Sequence, residues 1–206
     1  MAPTSSAEFD TQSRSILLDI AAASISHGFT HGSALTPSAD PAVARDSESL
    51  LEQRATFVTL TNTGGLRGCI GSLAPHLPLL VDVARNAFSS AFRDPRFPPL
   101  QPQETTDLVI EISVLSPVRE IEVADESDLL ARLRPGIDGL VIDDGRHRAT
   151  FLPKVWDSLP APDQFLAALK HKAGMARGQW SRDMRVFVYH TETFAGDGHK
   201  IRSRPY

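Results

Sequence analysis

The chain has 206 residues, 41% of them apolar and 22% charged, with a net charge of −4. That is enough to bury a core without covalent staples. One cysteine excludes an intrachain disulfide and any multi-cysteine zinc or iron–sulfur site, and the acidic balance argues against a generic nucleic-acid binder.

In chain order, residues 1–12 are polar and read as a disordered tail. Ile16, Leu17, Ile20, Ala21 and Ser24 recur at helical spacing and predict a helix over 13–27, with Gly28 as its stop. Residues 29–47 read as a loop, with a helical turn near 42–45. The run ATFVTLT, 55–61, predicts a strand. Asn62, Thr63, Gly64 and Gly65 then supply turn chemistry, so 66–72 pairs back as a hairpin. Leu80, Val83, Ala84, Ala87, Phe88 and Ala91 mark an amphipathic helix that Pro95 ends. Residues 107–115 predict a strand with Leu108, Ile110, Ile112 and Val114 on one face, and Val109, Glu111 and Ser113 on the other. A short helix at 126–133, strands at 139–143 and 147–152, a helix at 163–173 and a final strand at 184–190 follow. Strands and helices do not alternate regularly, so the fold class is α+β with mostly antiparallel sheet and packed helices.

No stretch approaches the roughly 20 apolar residues of a membrane span. The opening residues have no apolar block, so no secretory signal is expected and the cytoplasm is the expected location. Residues 170–206 hold eight Lys or Arg and three acids, including Lys200, Arg202 and Arg204 near the end. This basic tail, 196–206, is either a solvated terminus or a phosphate-binding segment.

The single cysteine lies in the run LRGCIG, 66–71. If this run is a regular strand, Arg67 and Cys69 share a face, roughly 7 Å apart. A guanidinium there favours the thiolate, which is the nucleophilic form. Gly68 and Gly71 leave room for close approach of a backbone or a ligand. The competing reading is a buried cysteine packing as a small hydrophobe, with the glycines marking a bulge.

Lys172 ends the apolar face of the helix at 163–173, either snorkelling outward or held in a cleft. Glu111 and Ser113 share the mixed face of their strand, where Glu111 is a candidate acid, base or partner for a cation. Asp94 and Arg96 flank Pro95 and either tie that turn or hold an anion. His27 and His31 have i, i+4 spacing, but Gly28 between them argues against a continuous helix. No metal site and no cofactor are expected.

Six blocks in order resemble the AMMECR domain family, also called AmmeMemoRadiSam system protein A. They are LRGCIG at 66–71, AFRDPRFPPL at 91–100, EISVL at 111–115, GIDGL at 136–140, FLPKV at 151–155 and LKHKAG at 169–174, with Trp180 shortly after. The resemblance spans 13–195. Lys154 stands where the family often has glutamine, and His171 falls in a stretch that usually contains cysteine. The resemblance implies one domain over 13–195 with two unequal lobes, a cleft between them, and an active site at LRGCIG. It also implies work alongside a Memo-type protein and a radical SAM protein, and a link to RNA modification. The expectation is an enzyme or enzyme subunit with Cys69, Arg67, Glu111 and Lys172 in catalysis, and with Gly68, Gly71, Ser113, Asp94 and Arg96 around the substrate. An adaptor that docks those partners, or an RNA-binding protein, is the alternative.

Overall fold

A computed structural model describes residues 8–37, 48–176 and 178–198. The chain divides into two compact units. The first contains residues up to Leu115 together with those from Glu192 onward; the second contains Ser116–Thr191. Each is an antiparallel sheet with helices, so the α+β expectation holds.

The first unit begins with helix α1, Thr11–His31. Asp10 caps it by accepting from Ser13 N at 2.7 Å. The helix does not stop at Gly28. It runs on to Gly32, whose left-handed φ of 67° closes it. Gly28 serves packing instead: a Cβ there would lie 2.4 Å from the Phe92 ring. The continuous helix also stacks the His27 and His31 rings, with centroids 4.1 Å apart. The expected turn at 42–45 lies outside the described residues.

Strands β1, Thr56–Asn62, and β2, Gly65–Gly71, form the hairpin. Helix α2, Leu79–Phe92, follows, and then β3, Val109–Leu115. The sheet order is β2-β1-β3-β8, with β8 spanning Thr191–Asp197. Leu108, Ile110, Ile112 and Val114 face the core, as their alternation requires. There they meet Leu17, Ala21 and Ile25 of α1 and Leu80, Val83 and Ala87 of α2. Both helices therefore cover one face of this sheet.

The second unit holds β4 (Arg119–Ile121), α3 (Glu126–Arg132), β5 (Gly139–Asp143), β6 (Arg148–Phe151), α4 (Pro162–Lys172) and β7 (Arg185–Tyr189). Its sheet order is β4-β7-β5-β6. The core centres on the Trp156 and Phe165 rings, stacked at 3.7 Å between centroids. Trp156 Nε1 donates to Asp138 O at 2.7 Å, which satisfies the indole inside that core. The strand expected at 184–190 is not the last, because β8 follows it. β4 is also unanticipated: three residues carry too short a pattern to announce a strand. Among the described residues, no helix is long and apolar enough to cross a membrane.

Candidate active site around Cys69

The β1–β2 ladder carries a register shift. Leu60 pairs with Gly68 and Thr61 with Leu66, so Arg67 is the extra residue of a bulge. Strict alternation fails there, so a shared face for Arg67 and Cys69 no longer follows from the strand period. Arg67 is 7% exposed and forms a bidentate pair with Glu104, Nε to Oε1 at 2.6 Å and Nη2 to Oε2 at 3.0 Å. Its Nη2 also donates to Pro98 O. The guanidinium holds the Glu104 carboxyl below its ordinary range.

The cation beside Cys69 is Arg96. Its Nη2 donates to Cys69 O at 3.1 Å and to Asp94 Oδ2 at 2.6 Å. Its Nε donates to Asp94 Oδ1 at 2.9 Å. The bond to Asp94 chiefly raises the Arg96 pKa, with the Cys69 side chain adding a smaller push in the same direction. Asp94 is buried, and its Oδ2 also accepts from Cys69 N at 2.8 Å. Arg96 foremost, with the Cys69 and Arg96 backbone amides, pulls the Asp94 pKa far below the carboxylate range. Asp94 and Arg96 thus tie their turn together, as the sequence suggested, and also clamp the turn to the strand that bears the cysteine.

The glycines answer to packing. A Cβ on Gly68 would sit 2.1 Å from Ser90 O of α2, and one on Gly71 would sit 2.4 Å from the Phe57 ring. The close approach that glycine signals is therefore made by the protein's own backbone and an aromatic ring. What lets α2 come so near is a polar stripe on its inner face: Asp82, Asn86 and Ser90, continued by Asp94 beyond the helix end. Ser90 Oγ accepts from Ile70 N at 2.9 Å and donates to Val58 O at 2.7 Å, bridging the two strands. Asp82 Oδ2 accepts from Thr56 N, Thr56 Oγ1 and Asn86 Nδ2. Burial is the larger influence on Asp82 and pushes its pKa up against those bonds.

Cys69 is half-buried, and its Sγ accepts from Thr59 Oγ1 at 3.3 Å. Thr59 pairs with Cys69 on one side and with Glu111 on the other. Cys69, Thr59 and Glu111 therefore form one row across β2, β1 and β3. Neighbouring strands lie about 4.8 Å apart, so the ends of the row are roughly 10 Å apart. The next row places Gly71, Phe57 and Ser113 together, and Ser113 Oγ meets Thr193 Oγ1 of β8 at 2.9 Å. These rows lie on the sheet face opposite the two helices.

Lys172 belongs to the second unit. It is exposed, its Nζ donates to Thr150 O at 3.0 Å, and it stands 5.1 Å from the Phe151 ring centroid. The buried lysine of α4 is Lys170, 4% exposed and paired with Glu126 Oε2 at 2.7 Å. A cavity of about 530 Å³ beside it is lined by Ala167, Met175 and that ion pair, and contains none of the expected site residues. Among the described residues, no group of three or more metal-ligating side chains comes together. The basic residues Lys200, Arg202 and Arg204 lie outside the described residues.

Thr59, Ser90, Glu104 and Lys170 were missed. The i, i+4, i+8, i+12 recurrence of Asp82, Asn86, Ser90 and Asp94 was a readable signal for the polar stripe; Glu104 gave none, because its partner is 37 residues away.

The fold and the site together define a class: an α+β protein of two sheet-based units, with a single cysteine on an edge strand that an aspartate–arginine clamp fastens. The AMMECR1 family model matches residues 18–194, and the chain belongs to that family. It is 37% identical over 153 residues to a protein of Methanothermobacter thermautotrophicus, covering 71% of this chain and 78% of that one. Protein PH0010 of Pyrococcus horikoshii is 36% identical over 156 residues, covering 70% and 73%. The crystal structure of that uncharacterized protein superposes with a TM-score of 0.71 at 32% identity, covering 87% of this chain and 89% of the other.

Proposed function

We propose that this AMMECR1-family protein is a cysteine-dependent enzyme or enzyme subunit acting on a small molecule laid across the Cys69–Thr59–Glu111 row. Cys69 is the nucleophile, Thr59 its hydrogen-bond donor, and Glu111 the carboxylate for proton transfer at the far end. Arg96 takes the electrostatic role expected of Arg67 from the sequence, because its guanidinium is the one bonded to the Cys69 backbone and would meet negative charge developing beside it. The observation that carries the reading is the double use of Asp94. One carboxylate fixes both the Cys69 backbone and the Arg96 guanidinium, and so holds thiol and cation in one geometry before substrate arrives.

Alkylation by iodoacetamide, followed at the single cysteine by mass spectrometry, tests it. Cys69 is expected to react several-fold faster at neutral pH in the native protein than in Arg96→Gln. Equal rates in the two proteins, both no faster than an unstructured thiol, would remove the reading.

A further inference from the structure

Helix α1 ends on two histidines that the Cys69 site does not use. Histidines at i, i+4 lie on one helix face and can bind one metal ion together. A helix break at Gly28 would separate His27 from His31, but α1 runs unbroken through both and closes at Gly32. Their rings are nearly parallel, 16° between planes, with centroids 4.1 Å apart. His27 Nδ1 lies 2.9 Å from Ser33 O, and His31 Nδ1 lies 3.3 Å from His27 O. A carbonyl oxygen can only accept, so each Nδ1 carries the proton and each Nε2 keeps its lone pair. Among the described residues, none bonds either Nε2. His31 is exposed and His27 half-buried, so an ion can reach the pair from solvent.

We propose that His27 and His31 form a site for a first-row divalent cation of the zinc and nickel type, held through the two Nε2 atoms at the C-terminal end of α1. Imidazole nitrogens are ligands that such ions favour, whereas magnesium and calcium prefer oxygen. Ligating histidines ordinarily donate the other ring N–H to a carbonyl or carboxylate, and both rings do so here. The helix end also carries partial negative charge, from carbonyls without intrahelical partners, and this favours a cation. Two nitrogens bound to one tetrahedral ion at about 2.0–2.1 Å stand about 3.4 Å apart, within reach of rings at 4.1 Å. The nearly parallel planes must turn for the lone pairs to converge, and the broad χ2 torsion of histidine allows it. His31, exposed and with the longer carbonyl contact, is the ring that turns. Two protein ligands leave the remaining positions to water, so the site is an open one. It shares no residue with the Cys69–Thr59–Glu111 row and is independent of that reading.

The test titrates the untagged full chain with nickel chloride and zinc chloride, with magnesium chloride as the comparison, by calorimetry and by the thermal midpoint. The same titrations on Cys69→Ala separate this site from any metal held by the thiol. One ion per chain is expected, and at about 100 times its Kd it should shift the folding equilibrium about 100-fold toward the native state. His27→Gln and His31→Gln should each weaken binding about 100-fold, since a single imidazole has lost the linked second ligand. The double variant should bind no more weakly than either single one, because the chelate is lost with the first ring. His31→Gln alters an exposed ring and decides the matter should His27→Gln fail to fold. The site is overturned by no saturable nickel or zinc binding, by magnesium acting as strongly, or by binding that disappears in Cys69→Ala. It is overturned equally by single variants that bind within about twofold of the native chain, or by a double variant that loses as much again, either of which would leave the two rings as caps for carbonyls at the helix end.

Discussion

Helices α2 and α4 each pack on an antiparallel sheet, and they do it by opposite means. Helix α4 presents Phe165, Leu166 and Leu169, all fully buried, and joins the Trp156 stack. Its one buried charge, Lys170, is paired with Glu126. Helix α2 gives part of its inner face to Asp82, Asn86 and Ser90, which take up backbone groups of β1 and β2. Apolar packing supplies stability without direction. Hydrogen bonds from a helix to a strand fix position as well, and here they fix the hairpin that bears Cys69. The polar contact lies where β2 is an edge strand, so groups that would otherwise stay unpaired are used to hold Cys69.

The largest expected effect is on the apolar side of this comparison. Phe165→Ala removes a fully buried ring from the second unit and should cost about 3–5 kcal/mol in urea unfolding. A cost near zero would mean that the stacked core is not what supports that unit. On the polar side, Gly68→Ala forces a methyl against Ser90 O and should cost about 1–3 kcal/mol. It should also change the Cys69 alkylation rate, because α2 and β2 must separate; an unchanged rate would show that the helix contact does not position the thiol.

The third effect is on pH dependence. The folded pKa of Asp94 is depressed, so its contribution to stability is present above the unfolded value, about 3.9. That contribution is lost as pH falls through the folded value. Urea midpoints should therefore fall more steeply from pH 5 toward pH 2 in the native protein than in Asp94→Asn. Parallel curves would separate Asp94 from acid stability. The smallest effect belongs to Lys172→Ala, an exposed side chain expected to change stability by no more than about 0.5 kcal/mol. A larger loss would restore to Lys172 the importance that its helical spacing suggested.

Much of the frame was legible. The alternation in 107–115 placed Ile110 and Ile112 inside and Glu111 and Ser113 on the other face, because a strand's period follows from backbone geometry alone. Pro95 forecast the end of α2 for an equally local reason. The site was legible in part: LRGCIG and the Asp94–Arg96 turn were picked out, but the partners were misassigned. Placing Arg67 and Cys69 together assumed an unbroken strand, and the bulge is defined only against the register of β1. Lys172 was singled out because it falls at i+7 from Phe165 on the apolar face of its helix, whereas the buried lysine is Lys170. Which of them is buried depends on where Glu126 and the core lie.

By itself, the sequence determined the family, the α+β class, the faces of its main strands and the position of the cysteine, since each depends on local pattern or on blocks of residues in order. The tertiary structure alone decided that Arg67 pairs with Glu104 and that Arg96 stands beside Cys69. Those choices depend on contacts between residues 27 and 37 positions apart. Only the folded chain sets which distant carboxylate reaches which guanidinium, because burial and distance, rather than residue type, determine the pairing of charges.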